Sequence, residues 1–248
     1  MKKFTIFLCT MLFVFGLAAV ASASPITLAN PSFEDPGLLP VYPDPGHWNT
    51  IVPGWIAINN GGSTGELNVG YPGQTGSNAA YVTANPNPAS PFDILALPRI
   101  GQWLDGTQLG TDLVTLVAGT TYALDVDVAG RTDYTAGATY QLWLVALSPD
   151  KASYVSLALS DPVAPTTEGS FNPAAQLAYT VSSADYVGWT LGFNFVVGNT
   201  QGGIAQVLFD NVSLDGSTAA AVPEPATMFL LGSGLIGIGV FARKKFKK

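Results

Sequence analysis

Alternation of apolar and polar side chains is the main pattern in the central part of the chain. In residues 187–197 every odd position is apolar, whereas glycine, threonine and asparagine occupy most of the even positions. The segments 121–128 and 139–146 show the same period of two. Because successive side chains of a β-strand point to opposite faces, each segment is predicted to be a strand with one buried face.

The rest of the central region is consistent with further short strands. The 27 glycines and 18 prolines of the 248 residues interrupt the chain often, and no amphipathic helical pattern appears between the two ends. Short strands separated by turn-rich segments are typical of an antiparallel β-sandwich. The sequence therefore predicts a single all-β domain over residues 24–217.

The N-terminus has the pattern of a secretory signal. Lys2 and Lys3 precede an apolar run over residues 4–20, and Ala21-Ser22-Ala23 supplies small residues for cleavage. Residues 1–23 are predicted to be a signal peptide handled by the Sec translocon and removed by signal peptidase. Cys9 is the only cysteine and lies in this segment, so the mature domain is expected to fold without disulfides.

The C-terminal segment, residues 218–248, is predicted to be a linker followed by a sorting tail. A motif over residues 222–227 begins with Val222, Pro223, Glu224 and Pro225, and six mostly basic residues over 243–248 end the chain. Between them, the seventeen residues 226–242 are apolar. As a helix they would be ~26 Å long, close to the ~30 Å of a bilayer core. The basic end is expected to stay in the cytoplasm.

This order of motif, apolar span and basic end resembles the PEP-CTERM sorting signal of Gram-negative bacteria that make exopolysaccharide. The resemblance implies transient insertion in the inner membrane and processing by an exosortase near Pro223-Glu224-Pro225. It also implies a final location at the cell surface or in the extracellular matrix. The alternative is a plain membrane anchor, which the small-residue span with its four glycines would also suit.

Charge narrows the possible partners. Between Ser24 and Pro225 there are three basic and seventeen acidic residues, a net charge of −14. Nucleic acid is excluded as an expected partner, because its phosphates require a basic surface. An extracellular, calcium-compatible domain is favoured.

Four short motifs in the domain resemble those of carbohydrate-binding-module-like jelly rolls. They are Asn30-Pro31-Ser32-Phe33-Glu34, Pro53-Gly54-Trp55, Ala118-Gly119-Thr120-Thr121-Tyr122 and Phe209-Asp210-Asn211-Val212-Ser213-Leu214. The resemblance implies a galactose-binding-like β-sandwich whose first and last strands lie close together. Many members of that family bind a structural calcium ion at this place.

Asp210 is the starting point for a calcium site. In a regular strand over residues 204–214 it shares a face with Leu208, Val212 and Leu214, and a carboxylate there is costly unless it is paired or ligates a metal. The resemblance places Glu34 beside it, so Glu34 and Asp210 are the expected ligands of calcium, which prefers oxygen. The alternative is that Asp210 accepts hydrogen bonds from backbone amides at a bulge or turn.

A glycan-binding patch is a further hypothesis. Gln141 and Trp143 are predicted to point away from the core, as are Asp125 and Asp127. If their strands are neighbours, they form an acidic patch with an aromatic ring, a combination that suits sugars. The alternative is that Trp143 is buried.

Catalysis has little support in the sequence. His47 is the only histidine, so a histidine-based metal cluster is not expected. The leading interpretation is a non-catalytic exported protein of the surface or matrix, associated with extracellular polysaccharide. The alternatives are a lectin-like module with a defined glycan and a glycoside hydrolase that uses Asp125 and Asp127.

Overall fold

The structure is a computed structural model that describes residues 23–35, 48–60, 62–85, 97–102, 114–134, 137–150, 153–182, 184–218 and 232. Ala23–Thr218 forms one compact unit. The twelve strands found in the described residues belong to this unit.

The described residues contain twelve strands, numbered in chain order. The first six are β1 (Ala23–Pro25), β2 (Trp48–Asn49), β3 (Ile56–Ile58), β4 (Gly62–Leu67), β5 (Ala79–Ala84) and β6 (Arg99–Gln102). The second six are β7 (Thr120–Gly130), β8 (Ala138–Leu147), β9 (Tyr154–Leu159), β10 (Asn172–Thr180), β11 (Thr190–Asn199) and β12 (Ala205–Thr218).

Two antiparallel sheets form the domain. The seven-stranded sheet has the order β10-β7-β12-β5-β4-β2, with β1 paired to β12, and the five-stranded sheet has the order β3-β6-β11-β8-β9. Ala23 lies opposite Ser217 in the register of β1 and β12, so the first and last strands are adjacent. The fold is the all-β sandwich that the sequence predicts.

The main core lies between the two sheets. Alternate residues of β7 and β8 face it, and so do Phe193 and Phe195 of β11 and Phe209 of β12. The ring of Phe195 stacks on that of Phe209, with 4.7 Å between their centroids. The period of two in the sequence therefore identifies the inward-facing positions of these strands correctly.

The prediction that Asp210 shares a face with Val212 and Leu214 is wrong. The pairing of β12 with β7 shifts register between Asp210 and Ser213, and Asn211 has a positive φ of 48°. This β-bulge adds one residue, so Val212 and Leu214 face the main core while Asp210 stays on the outer face with Leu208. A simple count by two along the chain cannot detect such a shift.

Candidate functional site

Glu34 and Asp210 bind the same loop, the segment that leads into β5. Oε1 of Glu34 accepts hydrogen bonds from the backbone amides of Ser77 and Asn78, both at 2.8 Å. Oδ2 of Asp210 accepts one from the backbone amide of Thr75 at 2.6 Å. The structure therefore brings together the two carboxylates that the sequence motifs placed side by side.

The carboxyl group of Asp210 is in an unusual environment. Asp210 is fully buried, and burial, together with the nearby charges of Glu34 and Asp127, raises the pKa of its carboxyl group to about 7. The backbone amides of Thr75 and Asn211 act in the opposite direction. The effects of burial and charge repulsion on the pKa of Asp210 are therefore larger than that of the hydrogen bonds. The ionised form of Asp210 is costly unless a cation is present.

The residues before Glu34 fix its position. Phe33 is buried, although its φ is 59°, a conformation that is rare for a bulky residue. Its ring packs on Trp55 with 4.8 Å between centroids, and the Trp55 indole donates to the carbonyl of Asn30 at 3.1 Å. Two of the sequence motifs therefore form one packed unit that holds Glu34 against the loop.

Gly76 lies directly against the Glu34 carboxylate. A Cβ atom at Gly76 would be 2.5 Å from Oε1 of Glu34, and its φ is +74°. Both the close approach and the positive φ require glycine here. Gly76 was not singled out in the sequence, where nothing distinguishes it from the other turn glycines.

The donor set suits calcium in type but does not by itself form a complete site. Two carboxylates of a cluster that also includes Asp127 supply hard oxygen ligands, which calcium prefers. Among the residues that the structure describes, no group of three or more His, Cys, Asp or Glu side chains could hold a metal ion. Further ligands would have to be backbone oxygens or water.

The predicted glycan patch does not form. Gln141 and Trp143 lie on β8 in the five-stranded sheet, whereas Asp125 and Asp127 lie on β7 in the seven-stranded sheet. The patch requires the two strands to be neighbours, but the chain crosses from one sheet to the other between them. The two pairs of side chains therefore cannot act together.

Trp143 and Gln141 are also buried, with exposures of 2% and 6%. The indole N–H of Trp143 donates to Oγ of Ser156 at 2.9 Å, and its ring packs with Leu97, Val145 and Val196. The side chain of Gln141 donates to the carbonyl of Ser160. Both side chains have structural contacts, and the alternative of a buried Trp143 is correct.

Asp125 and Asp127 do share the outer face of β7, and each has an amide partner. Gln176 donates to Asp125 at 3.0 Å, and Asn211 donates to Asp127 at 3.2 Å. Asp127 lies opposite Asp210 in the register. It belongs with the carboxylate pair rather than with an aromatic binding surface.

A second apolar cluster on the outer face of the seven-stranded sheet was missed in the sequence. Its members are Leu67, Val69, Ala79, Tyr81, Ala129, Phe171 and Leu208. Phe171 is 5% exposed, and its backbone amide donates to the carbonyl of Pro72 at 2.9 Å. Every residue of β5 is buried, so both faces of the strand are covered. Its sequence therefore shows no alternation that would reveal the outer apolar cluster.

The sorting residues Val222, Pro223, Glu224 and Pro225 lie outside the described residues, as does the predicted span 226–242 apart from Gly232. Where the chain is described, no helix is long and apolar enough to cross a membrane.

Two family models match the chain. The model described as HpiC1-like, HpiC1 cyclase, matches residues 24–215, and the PEP-CTERM protein-sorting motif matches residues 221–245. Comparison with curated proteins gives no match.

Several solved structures share the fold. The Stig cyclase Fisc from Fischerella sp. TAU, in complex with (3Z)-3-(1-methyl-2-pyrrolidinylidene)-3H-indole, is 23% identical, with a TM-score of 0.58 over 80% of this chain and 100% of that one. A cyclase from Fischerella sp. TAU in complex with 4-(1H-indol-3-yl)butan-2-one is 22% identical, with a TM-score of 0.56 over 79% and 98%. A structure described under the CBM4 carbohydrate-binding modules is 14% identical, with a TM-score of 0.42 over 77% and 99%.

Proposed function

We propose that this chain, which belongs to the HpiC1-like family and carries a PEP-CTERM motif that marks it for the cell surface or extracellular space, is a non-catalytic matrix protein associated with extracellular polysaccharide. The observation that carries this proposal is the sorting motif itself. It begins at residue 221, shortly after β12 ends at Thr218. The sorting motif therefore follows the β-sandwich closely along the sequence.

The packing of the sandwich supports a non-catalytic role. The apolar cluster on the outer face of the seven-stranded sheet is filled by its own side chains, with Leu208 and Ala79 fully buried beneath the Phe171 loop. Asp125 and Asp127, the proposed hydrolase pair, each accept a hydrogen bond from a neighbouring amide side chain. These contacts are those of a stable scaffold.

Binding of the exported protein to polysaccharide tests this function. The protein, purified from the producing cells, is titrated against the purified exopolysaccharide of the same cells and against an unrelated neutral polysaccharide. We expect saturable binding to the first and much weaker binding to the second. Equal or no binding to both would contradict the association.

Calcium is proposed as the structural cofactor, with Glu34 and Asp210 as its side-chain ligands. The support is the buried carboxyl group of Asp210 and its repulsion by the neighbouring Glu34 carboxylate, which a divalent cation would relieve. Thermal melts in calcium and in chelator test the proposal on the exported protein. A lower melting temperature in chelator is expected, and the Asp210→Asn variant should show a much smaller difference. Identical wild-type melts would contradict calcium binding.

Cyclisation of a small molecule is a second candidate function, favoured by the match of the HpiC1-like model to residues 24–215. Acid catalysis would need a carboxyl group that is protonated near neutral pH. Asp210, with its pKa of about 7, lies two residues from Leu208 of the outer apolar cluster.

Binding of a small indole separates the two functions. The probe is 4-(1H-indol-3-yl)butan-2-one, the compound bound in one similar cyclase. The proposed matrix role predicts no saturable binding by calorimetry. The Phe171→Ala variant opens the outer apolar cluster, and Val187→Ala is a surface control. If the probe binds the wild type and Val187→Ala but not Phe171→Ala, the cyclase function is favoured instead.

A further inference from the structure

Arg131, Asp133 and Tyr134, which follow β7 directly, form an ordered cluster that we call the Tyr134 platform. Nε of Arg131 lies 2.7 Å from Oδ1 of Asp133, and its Nη2 donates to Oδ2 at 3.1 Å. The guanidinium also lies over the Tyr134 ring, 4.8 Å from its centroid. A bidentate ion pair and a cation–π contact therefore both hold the Arg131 side chain in place.

The platform is also tied to the sheet beneath it. Nη1 of Arg131 donates to Gln206 at 2.8 Å, and Gln206 in turn donates to the hydroxyl of Thr83 at 2.6 Å. The backbone amide of Gln206 donates to the carbonyl of Tyr134. Because these contacts hold the side chains in place, little conformational entropy is left to lose when a ligand binds.

Three connecting loops meet around this platform. The hydroxyl groups of Tyr71 and Thr132 are 3.1 Å apart, which joins the β4–β5 loop to the loop after β7. The backbone amide of Gly130 donates to the carbonyl of Thr167, which joins the β9–β10 loop. Loops that converge on a rigid scaffold are a common location for binding sites.

We infer that the Tyr134 platform binds the extracellular polysaccharide, and that it takes uncharged sugar residues. Tyr134 is 36% exposed, so part of its ring is available to the apolar face of a pyranose. The Asp133 side chain, 40% exposed, can accept hydrogen bonds from sugar hydroxyls. This inference rests on the proposed association with polysaccharide and names the surface responsible.

The preference for uncharged sugars follows from charge. Asp133 offsets the charge of Arg131 by ion pairing, and the region between Ser24 and Pro225 has a net charge of −14. A polyanion would be repelled at low salt. A neutral polymer has no such penalty, and its binding should depend weakly on ionic strength.

The test compares two tyrosines of similar exposure. Tyr154 is 40% exposed and lies on β9 of the other sheet, so Tyr154→Ala is the matched control for Tyr134→Ala. Both are made in the exported protein and titrated with the purified exopolysaccharide. Tyr134→Ala should weaken binding by about tenfold or more, the size expected for losing one stacking contact, while Tyr154→Ala should leave it within about twofold.

Tyr134→Phe controls for the fold, because it retains the ring and its packing. It should bind within about twofold of wild type if stacking is the main contact. Wild-type binding that persists in Tyr134→Ala would overturn the inference and leave the proposed function standing. Absence of binding by the wild type would contradict both.

Discussion

At the residue scale, the chemistry of the domain centres on one buried carboxyl group. Asp210 is held by the loop that Glu34 also binds, and Asp127 lies opposite it in the sheet. The sequence could identify Asp210, since a carboxylate within an apolar strand pattern is conspicuous. It could not give the correct face, because the bulge after Asp210 leaves no compositional signal.

Stability without calcium should depend on pH through Asp210. Its pKa rises from 3.8 in the unfolded chain to about 7 when folded, so the folded state binds the proton more tightly. The resulting stabilisation is complete below pH ~4 and is lost as pH rises through ~7, by about 4 kcal/mol at most. Urea unfolding of calcium-free protein from pH 4.5 to 8 measures this loss.

Asp210→Asn is the control for that measurement, because it removes the titrating group and keeps the shape. The variant should show a much flatter stability over the same pH range. An unchanged pH dependence in Asp210→Asn would show that another group is responsible.

Gly76→Ala should disturb the same site through the Glu34 carboxylate. The added Cβ would collide with the Glu34 carboxylate and would strain a backbone with φ of +74°. We expect a loss of at least about 1–2 kcal/mol in stability, together with a weaker response to calcium. Gly203→Ala is a suitable control, with a positive φ of +110° but no atoms near its Cβ, so it should retain the calcium response.

At the element scale, alternation predicts strands well and their pairing poorly. β7, β8 and β11 lie where the period of two places them, because each has one face in the main core. The pairing of two consecutive strands depends on whether the chain turns back in the same sheet or crosses to the other one. β7 and β8 are consecutive but belong to different sheets, and for that reason the predicted glycan-binding patch does not form.

Trp143→Ala should therefore affect folding rather than glycan binding. Trp143 is 2% exposed and donates to Ser156, so its removal leaves a cavity and removes one hydrogen bond. A loss of about 3–5 kcal/mol is expected. Chemical denaturation measures it, and the fraction that remains folded should bind polysaccharide with the wild-type affinity. A stable variant that no longer binds would restore Trp143 as a ligand residue.

At the scale of the whole molecule, the two ends of the domain are adjacent. β1 pairs antiparallel with the last residues of β12, so the start of β1 and the end of β12 lie side by side. The sequence motifs predict the sorting signal and the close approach of the first and last strands. They do not predict the Tyr134 platform, because no motif or alternation pattern marks the contacts that Arg131 makes with Asp133, Tyr134 and Gln206.

Replacement of Pro223, Glu224 and Pro225 by alanine should block exosortase processing, because the motif at residues 221–245 would lose its recognition triplet. The variant should accumulate at full tail length in the membrane fraction. Mass spectrometry of the C-terminus and fractionation provide the readout. Normal processing of the variant would mean that the triplet is not the recognition element.

The most direct test of the central claim is the fate of the exported protein in cells that cannot make exopolysaccharide. Quantitative immunoblotting of the cell-surface and medium fractions compares these cells with the parent. We predict that the processed protein moves from the surface fraction to the medium when the polysaccharide is absent. An unchanged distribution in the two strains would contradict it.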